Sequence, residues 1–302
     1  MTGSGVKSAA ASGTAGVAVS ALLLNALVWG VSWWPFRELE RHGLHPLWAT
    51  AIIYTFSIAC LLMVRPGAVR GLLQHSSLWL LAVAAGLSNV GFNWAVTTGD
   101  VMRVVLLFYL MPAWVALLAW PLLGERPGVG SLLRLALALS GLAIVLKTPD
   151  SPWPVPQSPS DWLALMGGFS FALTNILLRR LNQTPGEARI LAMFGGGMLM
   201  AAGVALAGTV MGQSAVPPAP SGAWVGVAAL ISLAFLSGNL ALQYGASRLR
   251  ASTTSLVMVS EVVFASASSV LLGASALSAS MLVGGGLILL AVLMSASSPQ
   301  AD

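Results

Sequence analysis

Ten long apolar stretches, separated by short polar connections, make up almost the whole chain. A helix of about 20 apolar residues crosses the roughly 30 Å hydrocarbon core of a bilayer without leaving backbone polar groups unpaired. The pattern therefore predicts an all-α integral membrane protein with ten transmembrane helices. The predicted spans are residues 18–36, 47–64, 78–98, 101–123, 129–146, 160–180, 188–211, 222–246, 251–273 and 278–295.

A proline-rich stretch divides the ten spans into two sets of five. The segment KTPDSPWPVPQSPS (147–160) contains five prolines and has no apolar periodicity, which is typical of an extended linker. The chain is therefore expected to consist of two five-helix units, a linker and two tails. The predicted boundaries are a tail at 1–17, a first repeat at 18–147, the linker at 148–159, a second repeat at 160–296 and a tail at 297–302.

Composition argues against soluble proteins and most enzymes. The chain is 57% hydrophobic and 8% charged, whereas soluble domains are about 45–50% apolar and about 25% charged. The single cysteine, Cys60, excludes an internal disulfide, and no His, Cys and carboxylate cluster has metal-ligand spacing. We expect no enzyme activity, metal or cofactor; the candidates for an enzyme site are Glu38, Glu40, His42 and His45.

The basic residues predict the orientation of the chain. Ten Lys and Arg residues lie on one predicted face of the membrane and four on the other, in short loops that do not suggest nucleic-acid binding. Because Lys and Arg are enriched in cytoplasmic loops, both termini are predicted to be cytoplasmic. The first face, called the arginine-rich face, carries Lys7, Arg65, Arg70, Arg126, Arg134, Arg179, Arg180, Arg189, Arg248 and Arg250; the opposite face carries Arg37, Arg41, Arg103 and Lys147.

The two halves resemble each other in sequence. LSNVGFNWAVTTG (87–99) aligns with LAFLSGNLALQYG (233–245) at an offset of 146, and LMPAWVALLAWPLLGE (110–125) aligns with VSEVVFASASSVLLGA (259–274) at an offset of 149. A unit with an odd number of helices re-enters the membrane from the other side, so the repeats are inverted. Such halves can expose one central cavity to each side in turn. The alternative is that apolar helices resemble each other by composition alone.

The residues of the fourth and fifth spans resemble a known family. Pro112, Gly124, Glu125 and Gly141 match the end of an EamA-type repeat of the drug/metabolite transporter superfamily, and WGVSWW (29–34) resembles its first helix. The resemblance implies two inverted five-helix EamA-like repeats. It extends most closely to YddG-type exporters of aromatic and other amino acids, which implies a multi-pass protein of the bacterial inner membrane.

The second repeat departs from the family pattern at two positions. Glu261 or Val262 stands where proline is usual, and Ala274 replaces the terminal glutamate. This departure leaves symmetric hinge behaviour of the two repeats open. In the first repeat, Pro112 lacks a backbone donor and is predicted to kink the fourth helix as a hinge near the cavity.

Polar and aromatic side chains within the spans are the candidates for a substrate cavity, because polar groups in a membrane face the bundle interior or water. Asparagine, serine and threonine can instead hydrogen-bond neighbouring helices, at about 0.6–2 kcal/mol each. The glycine runs at 195–197 and 284–286 are expected to permit close helix approach. The candidate cavity residues are Asn25, Trp29, Ser32, Trp33, Asn89, Asn93, Thr97, Tyr109, Phe171, Thr174, Asn175, Asn239, Gln243 and Glu261.

Glu261 lies near the centre of the ninth span, where a charge costs roughly 2.5–3.5 kcal/mol. Three roles are open: a protonation site that couples transport to proton movement, an anchor for a substrate ammonium group, or a protonated carboxyl bonded to Ser260 and Thr254.

The deep parts of the spans contain no Lys or Arg, so they do not suit a phosphorylated substrate, which needs cationic partners. Composition alone goes no further than a small organic solute. The resemblance implies export of amino acids, with aromatic and other neutral ones favoured. Export of cationic drugs or other small metabolites is the alternative. No ATP-binding loop is present in the sequence, so a gradient would drive transport, with proton coupling as one option. The oligomeric state is left open.

Overall fold

A computed structural model describes residues 3–99, 101–146, 156–212, 214–274 and 276–296. Within those ranges the chain is all-helical. The helices are α1 (Gly3–Arg41), α2 (Pro46–Val64), α3 (Ala68–Gln74), α4 (Ser77–Thr98), α5 (Val101–Phe108), α6 (Met111–Leu123), α7 (Val129–Leu146), α8 (Pro159–Arg180), α9 (Gly186–Val210), α10 (Gly222–Ala246), α11 (Ala251–Met258), α12 (Ser260–Leu271) and α13 (Ala279–Ala296).

The apolar stretches predicted from the sequence are helices in the structure. In the described part of the chain, nine stretches are long and apolar enough to cross a membrane, and a shorter apolar helix covers Ala279–Ser295. The predicted ten-helix fold is confirmed. The short helix α3 between the second and third spans is an addition that the hydropathy pattern did not indicate. Most of the linker and the C-terminal tail fall outside the described residues, and α1 begins at Gly3, within the stretch predicted as the N-terminal tail. The domain boundaries stay predictions.

The fourth and ninth spans are each broken into two helices. α5 ends before Tyr109 and α6 follows, with the Leu110 amide bonded to the Leu107 carbonyl at 3.3 Å in a tighter turn. α11 and α12 meet at Val259, whose amide donates to the Leu256 carbonyl at 3.2 Å. The two breaks occupy equivalent positions of the repeat at the offset of 149. The kink expected at Pro112 is present, and the ninth span breaks without a proline.

Helix packing is reciprocal between the halves. α4 packs against α8, and its equivalent α10 packs against α1. α5 and α6 contact α8, as α11 and α12 contact α1, while α2 and α7 pair with their own equivalents, α9 and α13. Two halves related by a two-fold axis produce this exchange of partners. The inverted repeat read from the sequence is therefore visible in the packing as well.

Glycines bring helices together where the halves meet. A Cβ built on Gly141 of α7 would lie 2.6 Å from the Gly284 carbonyl oxygen of α13. Gly196 packs against the Ala82 backbone, and Gly197 against the Tyr54 ring. The close approach expected of the glycine runs is confirmed at 196, 197 and 284. Gly195 and Gly286 instead face open space, so only one side of each run serves packing.

Candidate functional site

A central cavity lies between the two halves, near the middle of the spans, with an empty volume of about 820 Å³. Both helix breaks contribute to it. It is lined by Trp29, Tyr54, Ala85, Ser88, Asn89, Phe92, Asn93, Phe108, Tyr109, Phe171, Thr174, Met193, Phe194, Phe235, Asn239, Leu242, Met258 and Glu261. This volume includes space that is open to solvent.

Aromatic side chains form much of the wall, contributing eight of the eighteen described lining residues. Trp29 of α1 stacks on Phe235 of α10 with ring centroids 4.3 Å apart. Phe108 of α5 contacts Phe92 at 4.7 Å and Phe171 at 5.8 Å between centroids. The Trp29 and Phe235 pair and the Phe108 and Phe171 pair join helices from opposite halves. They offer flat apolar surfaces, and ring faces that attract cations.

Glu261 and Tyr109 place the polar centre of the cavity at the two helix breaks. The Tyr109 hydroxyl, just before α6, lies beside the Glu261 carboxyl in the first turn of α12 and interacts with it. A carboxylate at a helix N-terminus is favoured by the helix dipole. Among the described lining residues there is no Lys, Arg, His or Asp, and Glu261 carries their one carboxyl group.

The three lining asparagines are all held by hydrogen bonds. Asn89 accepts from the Tyr54 hydroxyl at 2.7 Å and donates to the Ala85 carbonyl at 2.8 Å. Asn93 donates to the Thr50 hydroxyl at 2.8 Å. Asn239 accepts from Gln243 at 2.9 Å and donates to the Met193 sulfur at 3.5 Å. Each amide is thus fixed in one orientation rather than free to rotate.

The structure brings eight of the fourteen sequence-derived candidates to the cavity wall. They come from α1, α4, α8, α10 and the two breaks. They are Trp29, Asn89, Asn93, Tyr109, Phe171, Thr174, Asn239 and Glu261.

The other candidates lie away from the wall or outside the described side chains. Asn25 is fully buried and donates to the Gly238 carbonyl at 2.8 Å, while the Trp33 indole donates to Ser268 at 2.9 Å. Both side chains join α1 to a helix of the other half, the inter-helix alternative that the sequence left open. The Ser32 hydroxyl donates to the Trp29 carbonyl. The remaining three are Asn175, which is buried and follows Thr174 in the chain, Gln243, which is bonded to Asn239, and Thr97, whose side chain is outside the described residues.

The lining residues that the sequence did not single out are mainly apolar. Their composition does not separate them from ordinary core residues, but some share a helix face with a polar candidate. Phe92 follows Asn89 by three positions, and Phe235 precedes Asn239 by four. The unanticipated residues are Tyr54, Ala85, Ser88, Phe92, Phe108, Met193, Phe194, Phe235, Leu242 and Met258.

Arg189 points inward, although in the sequence it served only to mark the arginine-rich face. Its side chain, in the first turns of α9, is 8% exposed. Its Nε donates to Gln243 at 3.1 Å, and a terminal nitrogen donates to the Leu181 carbonyl at 3.0 Å. Gln243 continues to Asn239 on the cavity wall. A guanidinium is therefore connected to the cavity through one intervening side chain.

An ion-pair cluster ties the halves together on the arginine-rich face. Glu125, which follows α6, lies 3.2 Å from the Arg179 Nε and 3.9 Å from the Arg250 Nε. It also accepts the Ala251 amide at the start of α11, at 3.0 Å. Its three partners all belong to the second half. The cluster is called the Glu125 latch below.

The broken helices meet differently at the two faces. On the arginine-rich face α11 packs against α6 and α8. On the opposite face the equivalent helix α5 has no comparable packing against α12 or α1 within the described residues. As far as the structure describes it, the contact between the broken helices of the two halves therefore lies at the arginine-rich face.

The residues named as candidates for an enzyme site take part in a helix cap and a surface ion pair. The His45 ring nitrogen accepts the Leu47 amide and caps α2, and Glu38 pairs with Arg41 at 3.0 Å. Partial burial lowers the pKa of His45, an effect that the nearby Glu40 opposes. Among the described residues, no three His, Cys, Asp or Glu side chains are grouped so that they could hold a metal ion.

Comparisons with known proteins agree with this architecture. The sequence profile of the EamA-like transporter family matches residues 16–147 and 158–297. A solved crystal structure of a protein with 19% sequence identity superposes with a TM-score of 0.74 and covers 92% of this chain and 96% of the other, which bears on fold alone. No curated protein matches the chain.

Proposed function

Since the chain belongs to the EamA-like transporter family of the drug/metabolite transporter superfamily, we propose that it is a secondary transporter that exports amino acids. Aromatic and other neutral amino acids are the favoured substrates. Transport occurs across the cytoplasmic membrane of a bacterium by alternating access through the central cavity. The observation that carries this proposal is the cavity itself, which both halves line with aromatic rings around a single carboxylate.

The cavity chemistry supports an amine-bearing aromatic substrate. The ring would lie against the Trp29 and Phe235 stack or against Phe108, where apolar area and ring contacts favour it. The substrate ammonium would replace the Tyr109 hydroxyl as the partner of Glu261. A dianionic phosphate ester would meet this carboxylate with no base on the described wall, which argues against such substrates.

The proposed orientation follows from the distribution of positive charge. With the arginine-rich face in the cytoplasm, both termini are cytoplasmic. The described conformation then has its closed side inward, because the Glu125 latch and the packing of α11 on α6 lie at that face. Exchange between the two states requires the latch to separate and α5 to move toward α12. The breaks at Tyr109 and Val259 allow half of each helix to move, with Pro112 as the hinge of the first.

Export of organic cations is the second candidate function, and one observation favours it. Glu261 faces an aromatic wall with no basic residue among the described lining residues, a combination that attracts cations whether or not they carry a carboxylate. Amino acids and simple amines differ in that carboxylate, so competition between them separates the two candidates.

Flux measurements in proteoliposomes test the proposal. We expect the purified protein to exchange labelled phenylalanine well above empty liposomes, with unlabelled tryptophan and leucine as competitors. Phenethylamine, which keeps the ring and ammonium but lacks the carboxylate, should compete more weakly than phenylalanine. Phenylalanine flux equal to that of empty liposomes would overturn the amino-acid proposal. Flux of phenethylamine without flux of phenylalanine would favour the cation exporter.

A further inference from the structure

A buried chain of three hydrogen-bonded side chains runs from the arginine-rich face to the cavity wall. Arg189 donates to the Gln243 oxygen at 3.1 Å, and the Gln243 nitrogen donates to the Asn239 oxygen at 2.9 Å. All three side chains are less than 9% exposed. The partners of Arg189 are neutral, a side-chain amide and the Leu181 carbonyl. We call these three residues the arginine–amide chain.

The direction of every bond in this chain is fixed by its first member. A guanidinium has donors and no acceptor, so Gln243 must turn its oxygen toward Arg189 and its nitrogen toward Asn239. Asn239 must then turn its oxygen toward Gln243. The group that remains for the cavity side of Asn239 is its nitrogen, which already touches the Met193 sulfur on the wall at 3.5 Å. A sulfur is a weak acceptor, so a stronger one can displace it.

The repeat-related asparagine has the opposite polarity. The Thr50 hydroxyl donates to the Pro46 carbonyl at 2.9 Å, so it can only accept from Asn93. The Asn93 nitrogen is thereby turned toward Thr50, and its oxygen is left for the cavity. The second half therefore supplies an amide donor where the first half supplies an acceptor, although both positions are asparagine.

From these bond directions we propose, as a refinement that rests on the proposed function, that the Asn239 amide donates a hydrogen bond to the carboxylate of the transported amino acid. Arg189 and Gln243 are positioning residues. They keep the Asn239 amide turned toward the cavity, and the guanidinium charge polarises the chain, which strengthens its last donor. The cavity then offers the Glu261 carboxylate to a substrate ammonium and the Asn239 amide donor to a substrate carboxylate. It therefore matches a zwitterion better than a simple cation.

Binding of two matched ligands tests this assignment. Calorimetry on the purified protein gives the dissociation constants of phenylalanine and of phenylalaninamide, which differ in the carboxylate. We expect the unmodified protein to prefer phenylalanine. Asn239→Asp has nearly the same volume but replaces the donor by an acceptor. The dissociation constant of phenylalanine should therefore rise about tenfold or more, while that of phenylalaninamide stays the same. Arg180→Ala, which removes an exposed arginine of the same face, should leave both constants unchanged.

Gln243→Glu tests the positioning role separately. Glutamate still accepts from Arg189 but cannot donate to Asn239, which becomes free to rotate, so the preference for the carboxylate should fall by a few fold. Asn239→Ser supplies a second, smaller polar replacement should the aspartate variant fail to fold as judged by size-exclusion chromatography. The assignment of Asn239 would be overturned if these variants bound both ligands more weakly by the same factor, or if their preference for phenylalanine over phenylalaninamide were unchanged. If the unmodified protein binds phenylalaninamide and no amino acid, the proposed function fails instead.

Discussion

The two repeats share one backbone plan and differ in where they carry charge. Each has a fourth helix broken at the same repeat position, with Pro112 just after the first break and Glu261 at the equivalent place after the second. Since the ninth span breaks without a proline, the break is a property of the packing around it. That position is therefore available for a hinge residue in one repeat and for a carboxylate in the cavity in the other.

At the end of the fourth helix of the repeat the difference is the opposite, because here the first repeat carries the carboxylate and the second does not. The first repeat ends it with Glu125, which forms the latch, and the second ends it with Ala274. An offset of 142 places Trp29 over Phe171 and Ser32 over Thr174 in the first helices of the two repeats, and it places Arg37 over Arg179. The opposite face therefore keeps the arginine of the ion pair but has Ala274 in place of the glutamate. A latch therefore holds one face, and the equivalent contact is not available at the other. The two repeats therefore share their helix packing but not this ion pair.

Removing the charge of Glu261 should have the largest effect. Glu261→Gln preserves the shape and a bond to Tyr109 but removes the partner for a substrate ammonium. A hydrogen bond to a charged group contributes about 1.5–3 kcal/mol, so the KM for phenylalanine exchange should rise at least about tenfold. Glu38→Gln, at an exposed pair with Arg41, is the control and should leave the KM unchanged.

The same variant separates two roles of the carboxylate. If Glu261→Gln keeps its KM but loses the response of flux to an imposed pH gradient, Glu261 serves as the proton site and not as the ammonium anchor. If neither the KM nor the response to the pH gradient changes, the carboxylate that distinguishes the second repeat at this position has no role in transport.

Breaking the latch should have the next largest effect. Glu125→Ala gives the first repeat the residue that the second already has, so the arginine-rich face should open more often. A loss of roughly 1 kcal/mol of closing energy corresponds to about a fivefold population shift. Opening of that face can be measured with Leu242→Cys in a Cys60→Ser background. Because Leu242 lines the cavity, its replacement cysteine should be labelled faster from that face when Glu125→Ala is added. Glu40→Ala is the control, and equal labelling rates in all proteins would count against the latch.

Replacing the proline should affect transport less. Pro112→Ala restores a backbone donor and removes the ring clash with the preceding turn. Because packing alone maintains the break at Val259, we expect the first break to persist and the exchange rate to fall by no more than about fivefold. Pro121→Ala, near the end of α6, is the matched control. Complete loss of exchange in Pro112→Ala alone would show that the proline, and not the packing, makes this break.

Sequence patterns predict this fold well because membrane insertion depends on features that are local in the chain. Spans such as 129–146 and 222–246 coincide with the helix bounds in the structure. The break at Val259 depends on contacts with helices that are distant in the chain, so the local sequence does not predict it. For the site, buried polar residues were recognisable, but Phe108 and Phe235 look like any core aromatic. The inward turn of Arg189 depends on Gln243, which lies 54 positions away.

The smallest effect on transport is expected where the repeats are alike. Gly141 and Gly284 face each other across the α7 and α13 contact, and a Cβ on either would approach the other's carbonyl oxygen at 2.6 or 2.5 Å. Gly141→Ala and Gly284→Ala should therefore destabilise the protein by similar amounts, about 1–3 kcal/mol each, seen as lower thermal unfolding temperatures in detergent. The KM should not change, since neither residue lines the cavity. Gly286→Ala, whose Cβ meets open space, is the control. Clearly unequal losses would mean that the two glycines do not make equivalent contacts across the α7 and α13 interface.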